Sequence, residues 1–290
     1  MTVHTGRTVA CAGFDYFRHE PVDFAPRGLH FLGKFGPEAP SHRPEEGFAH
    51  RIVVSLPDMG GRMTAPELPG ALQLGEFLRS KKILPAIAHT DAIYEEVIEA
   101  YENGYTLATH LYSAMSGVTR SNARRYAGVV ESAFLIDEMD VEIIADGVHL
   151  PAPLLQLICK IKGCDKIALI TDAIRAAAMP PGESVIGNIH TGIKVIVEDG
   201  VSKLPDRSSF AGSVATADRL VRTMTQMAGI SLPDAVRMIT HTPATIMDIA
   251  DRKGSLAAGK DADIIIFDEN ITVHATMVHG KIIYQNDSRL

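Results

Sequence analysis

The chain has 290 residues, of which 46% are hydrophobic and 22% charged, a balance suited to a globular protein with a sizeable core. Its net charge of −7 excludes a general nucleic-acid or anionic-membrane binder, because such affinity comes from clustered Lys and Arg. Three cysteines without a CxxC pair exclude a disulfide framework and point to a reducing cytoplasm, and no run of about 18 apolar residues or signal-peptide pattern points to a membrane span or secretion.

Residues 1–64 carry the weakest pattern. The first fifty hold five histidines with no clear period. Gly28 to Gly33 reads as a short strand ending at a glycine, and Arg51 to Leu56 as another. Ala65 to Gly70 reads as a loop that opens a helix with Leu72, Leu74, Phe77 and Leu78 on its apolar face.

From residue 83 the pattern is regular. Ile83 to Ala88 is an apolar strand ending at His89. Thr90 or Asp91 is placed to cap a helix whose apolar face carries Ile93, Val97, Ile98 and Tyr101, and Gly104 stops it. Tyr105 to Thr109 is the next strand, ending at His110. The two histidines are 21 residues apart, about one parallel β-α-β step. Neighbouring parallel strands would bring both imidazoles to the carboxyl-terminal edge, where α/β folds place their chemistry. Two imidazoles there suggest a metal site; capping or core histidines are the plain alternative.

A loop from Ser113 to Tyr126 carries Arg120, Arg124 and Arg125, which composition alone assigns to a solvated surface. Val141 to Ala145 is a strand followed by Asp146 and His149; Pro151 to Ile161 is a helix; Lys166 to Ile170 is a strand ending at Thr171-Asp172. Polar residues recurring at strand ends favour a (β/α)₈ barrel, and the lack of a GxGxxG after a strand excludes a dinucleotide-binding sheet. Short strands and turns follow over 193–213, then helices beginning at Ser213 and Ser231. Met224, Met227, Met238 and Met247 read as core packing. Asp263 to Phe267 and a hairpin around His279-Gly280 end the chain as β structure.

The segments APELPG (65–70), AHTDAIYEEVIEA (88–100), THLYSAM (109–115), ADGVHLP (145–151), TDA (171–173), AGS (211–213) and GSLAAGKDADIIIFD (254–268) resemble N-acetylglucosamine-6-phosphate deacetylases of the amidohydrolase superfamily. The resemblance implies an α/β, metal-dependent (β/α)₈ barrel with a small β-sandwich built from both chain ends. It implies a divalent metal, zinc or iron, held by His89 and His110, with Asp172 as catalytic acid/base. His149 would contact the acetamide carbonyl and the sugar. Asp146, backbone at Ser113-Ala114, and the Ala211-Gly212 turn would bind substrate, and Arg125 would reach the sugar phosphate. A homodimer acting on a small sugar phosphate is implied.

The family also has a glutamate metal ligand in HLEGPF, whereas this chain reads His30-Phe31-Leu32-Gly33-Lys34-Phe35. Leu32 cannot ligate a metal, and Glu67 is a candidate replacement. The expected division is a divergent region over 1–64 with one or two barrel strands, a barrel incomplete at its amino end over 65–253, and a sandwich remnant over 254–290. Two functions follow: a deacetylase, or an impaired remnant that binds a sugar phosphate or a partner subunit.

Overall fold

The computed structural model describes residues 7–11, 52–55 and 61–286. The strand expected over 28–33, with Leu32 and Lys34, lies outside them. The chain forms two compact units, residues 14–135, and residues 1–13 together with 136–290. Strand β1 (Arg7–Cys11) belongs to the second unit.

In the unit formed by residues 14–135, β2 (Ile52–Ser55) runs antiparallel to β3 (Gly61–Thr64). Helix α1 (Ala71–Ser80) then crosses to β4 (Leu84–Ile87), which lies parallel to β3. Helix α2 (Tyr94–Glu102) crosses to β5 (Leu107–Ala108), parallel to β4 with Ala86 opposite Leu107 and Ile87 opposite Ala108. This register matches the spacing of the two histidines, so His89 and His110 leave the sheet side by side.

Helix α1 buries Ala71, Gly75 and Leu78, while Phe77 is 56% exposed, so its inward face differs from the expected leucine-phenylalanine stripe. Tyr105 decides this. Its ring packs so close to Gly75 that a Cβ there would lie 2.4 Å from Tyr105 Cε2. Its hydroxyl donates to Ala71 O at 2.6 Å. Helix α2 is also entered differently from the expectation. Ile93 is its N-cap, and its N–H donates to Glu96 Oε2 at 2.9 Å. Thr90 and Asp91 lie upstream in the turn after His89.

The loop expected over 113–126 contains a hairpin of β6 (Thr119–Ser121) and β7 (Arg124–Tyr126), with Arg120 opposite Arg125. Its two turn residues, Asn122 and Ala123, both have positive φ, the conformation of a tight hairpin turn usually signalled by Asn-Gly. Helix α3 (Val129–Leu135) closes this unit.

In the other unit, β8 (Asp140–Ile144), α4 (Ala152–Lys162) and β9 (Ile167–Ile170) form a parallel β-α-β step, with Val141 opposite Ile167. Val141, Ile143, Leu155, Ile158 and Ile167 are fully buried, as strands and helix sharing a core require. An antiparallel sheet follows, made of β10 (Gly182–Ile186), β11 (Ile193–Glu198) and β12 (Val201–Lys203). Strand β10 has no strand signal in the sequence, because its residues GESVI lack apolar alternation and are exposed or half-buried.

Helices α5 (Ala217–Gln226), α6 (Leu232–Ile239) and α7 (His241–Ile246) come next. Thr216, not Ser213, is the N-cap of α5, whereas Ser231 caps α6 as expected by accepting from Asp234 N. Met224 and Met238 are fully buried core residues, but Met227 is 50% exposed. Strands β13 (Ile264–Asp268), β14 (Val273–Val278) and β15 (Lys281–Gln285) form an antiparallel sheet in the order β1-β13-β14-β15. Strand β1, absent from the expected pattern, pairs Val9 with Ile266. Among the described residues no helix is long and apolar enough to cross a membrane.

Candidate metal and catalytic site

His89 and His110 follow β4 and β5 with φ of 50° and 38°, in the left-handed region. Asp172, just past β9, has φ of 45°. This backbone costs a non-glycine residue on the order of 1 kcal/mol or more and tends to cluster at functional sites. Three of the sequence-selected residues therefore share the same strand-end conformation.

The imidazoles of His89 and His110 meet edge to face, with ring centroids 4.7 Å apart and an interplanar angle of 81°. Their Nε2 atoms lie 3.2 Å apart. Two nitrogens at roughly 2.0–2.1 Å from a tetrahedral zinc stand about 3.3 Å from one another. The pair therefore fits two corners of a single metal site. Among the described residues, no group of three His, Cys, Asp or Glu side chains completes such a site.

Glu67, the candidate replacement ligand, has another occupation. Its Oε2 accepts the Thr90 hydroxyl at 2.5 Å, and its Oε1 accepts the Asp91 N–H at 2.9 Å. Thr90 Oγ1 in turn accepts the Ala92 N–H at 3.0 Å. Glu67 thus ties down the turn that leaves His89. Its place in APELPG was a sequence signal, but its partners lie in a distant segment of the chain.

The turn after His110 is held from both sides. Ser113 N donates to His110 O at 2.8 Å, and Ala114 O accepts from Thr90 N at 3.0 Å. Ala114 itself is exposed with φ of 47°. Arg125 is exposed on β7.

In the other unit, Asp146 and His149 follow β8 as one compact turn. Asp146 is only 2% exposed. Its Oδ1 accepts the N–H groups of Val148 at 2.9 Å and His149 at 2.8 Å, while Oδ2 lies 2.8 Å from His149 Nδ1. Burial opposes ionisation of this carboxyl, but the His149 side chain and the two backbone donors hold it below its ordinary value. Asp146 was expected to bind substrate; in the structure both of its oxygens are engaged within its own turn.

The His149 side chain is 7% exposed, and its ring packs on Phe210 with centroids 4.9 Å apart. Arg219 Nε donates to Asp146 O at 3.0 Å, adding support from α5. Sequence reasoning missed Glu67's structural role, Phe210 and Arg219, because none has a local pattern that names its partner.

Asp172 is exposed, and its carbonyl accepts the Ser213 N–H at 2.9 Å. Ala173 and Ser213 form a parallel bridge, so the Ala211-Gly212 turn is anchored next to Asp172. Gly212 has φ of 72°, and a Cβ there would lie 2.6 Å from Ile174 Cγ2 and 3.2 Å from Asp172 O. Ala211 N donates to Ser202 O at 2.9 Å.

Comparison with known proteins identifies the family. The amidohydrolase family model matches residues 64–283. An N-acetylglucosamine-6-phosphate deacetylase from Lysinibacillus sphaericus is 35% identical over 224 residues, which cover 77% of this chain and 55% of that protein. The crystal structure of such a deacetylase from Pasteurella multocida matches with a TM-score of 0.71 and 30% identity, over 78% of this chain and 57% of that one. A mutant deacetylase from Mycobacterium smegmatis, solved with N-acetyl-D-glucosamine-6-phosphate, matches with a TM-score of 0.71 and 29% identity, over the same 78% and 57%. The chain thus spans little more than half the length of these relatives. With its family model covering most of its length and its relatives named as these deacetylases, the chain belongs to the amidohydrolase family.

Proposed function

We propose that the chain catalyses hydrolysis of the acetamide of N-acetylglucosamine 6-phosphate to glucosamine 6-phosphate and acetate. The observation that carries this is the facing of His89 and His110 across 3.2 Å at adjacent strand ends, in a chain whose relatives are named for that activity. The M. smegmatis relative holds the same sugar phosphate.

Amide hydrolysis requires a nucleophilic water, a donor for the carbonyl oxygen as it becomes an oxyanion, and a proton for the departing amine. His89 and His110 are the residues that would hold a divalent ion, zinc or iron; when bound, it supplies a Lewis acid that makes water more acidic. Asp172 takes the proton from the attacking water and delivers it to the amide nitrogen, so the leaving group departs as an amine. His149 contacts the carbonyl and the sugar. Ser113-Ala114 and Ala211-Gly212 contribute backbone contacts, with both turns already anchored to the residues that follow the strands. Arg125 holds the phosphate through charge-assisted hydrogen bonds, binding energy supplied away from the reacting bond.

The accompanying structural reading is a (β/α)₈-type barrel, incomplete at its amino end, over residues 65–253, with a β-sandwich remnant over 254–290. We place the protein in the cytoplasm as a homodimer. The test is acetate release from N-acetylglucosamine 6-phosphate together with metal content of the same sample. About one metal per chain, with acetate release lost in Asp172→Asn, is the expected result. A folded protein with neither metal nor acetate release overturns the proposal.

A further inference from the structure

Asp146 carries a role that the substrate contacts do not include. Its carboxylate is buried, and every contact described above comes from its own turn: two backbone N–H groups on Oδ1 and the His149 ring on Oδ2. Its backbone carbonyl is separately held by Arg219. Phe210 packs on the imidazole beyond it. A carboxylate held this way is a fixed acceptor. It presents a lone pair, and no donor, to His149 Nδ1.

We infer that Asp146 is a positioning residue that keeps the His149 proton on Nδ1 and so makes Nε2 the ring atom that meets substrate. An ionised carboxylate only accepts hydrogen bonds, so a 2.8 Å approach to Nδ1 requires a hydrogen there. The neutral ring then has its lone pair on Nε2. The doubly protonated ring donates from Nε2, with Asp146 balancing the charge. In both states Nδ1 is withdrawn from the chemistry, and Nε2 alone changes role. Phe210 restrains the ring plane but has no polar atom with which to choose a tautomer.

Asp146→Asn tests this directly. The amide oxygen can keep the two backbone bonds, and its NH₂ group then faces Nδ1. The neutral ring is expected to move its proton to Nε2. The measurement is ¹⁵N NMR of the His149 ring, assigned by comparison with His149→Gln. In the unsubstituted protein Nδ1 should be pyrrole-like and Nε2 pyridine-like when neutral; in Asp146→Asn the two should exchange. Phe210→Ala should leave the order unchanged.

The catalytic consequence rests on the deacetylase proposal. Asp146→Asn should lose about 10–100-fold in acetate release, with the loss in kcat more than in KM. Failure of the unsubstituted protein to release acetate would count against that activity and leave the NMR comparison intact. A pyridine-like Nδ1 in the unsubstituted protein overturns the positioning role, as does a folded Asp146→Asn with the same tautomer or unchanged kcat. If Asp146→Asn does not fold, the unsubstituted ring spectrum alone still decides.

Discussion

Glu67 and Thr90, separated by 23 residues, are joined by a 2.5 Å hydrogen bond from the threonine hydroxyl to the carboxylate. The other carboxylate oxygen holds the Asp91 N–H. This clamp fastens the turn immediately after His89, so the orientation of that imidazole depends on a side chain from the loop before α1. Glu67→Ala should weaken zinc binding by about 10–100-fold while the chain stays folded. Competition with a chelator measures it; unchanged affinity would show that the clamp does not govern His89.

Gly75 is required by close approach to Tyr105 and the Asn103 carbonyl. A Cβ there would sit 2.4 Å from the Tyr105 ring and 2.9 Å from Asn103 O. Gly75→Ala should destabilise the chain by about 1–3 kcal/mol, because the gain in helix propensity is smaller than the overpacking strain. Urea unfolding should show a lower midpoint without a changed slope.

Burial pushes the Tyr105 hydroxyl from 10.0 to about 12. The folded state thus keeps its proton while an unfolded chain loses it. Its stabilising contribution is complete below pH 10 and falls as pH rises towards 12, by up to about 2 kcal/mol. Tyr105→Phe should flatten that part of the alkaline profile. It should also cost about 1–2 kcal/mol at neutral pH, since the Ala71 carbonyl loses its 2.6 Å donor. Stability measured between pH 8 and about 11.5 checks both.

Arg125 stands exposed on a hairpin strand beside other cations, free of any burial requirement. Arg125→Ala should leave stability within about 0.5 kcal/mol. If it holds the sugar phosphate, KM should rise about 10–100-fold and kcat should change less. Steady-state acetate release gives both constants; equal KM values would remove Arg125 from the phosphate site.

Cys159 is pushed up to about 12, first by burial and then by the nearby Cys164 and Asp234. Cys164 is also raised, chiefly by burial. Thiolate is the reactive form, so both should label slowly with iodoacetamide at pH 8 and quickly after unfolding. Mass-spectrometric mapping of each cysteine checks this; rapid labelling of Cys159 in the folded protein would contradict it.

The β-α-β periods and the residues that end their strands are legible in the local pattern of the chain. Apolar runs of strand length, helix stops such as Gly104, and a 21-residue histidine spacing are local quantities, and they place His89, His110 and Asp172 without a structure. Local patterns failed where a signal was atypical: β10 lacks alternation, and the β6–β7 turn uses Asn122-Ala123. What each side chain meets depends on how the chain packs. Glu67 meets Thr90 across 23 residues, Tyr105 packs under α1 in place of the expected stripe, and Asp146 faces His149. The reason is physical: periodicity says which face a residue occupies, but a buried polar group takes whichever partner the packed chain brings within hydrogen-bonding distance.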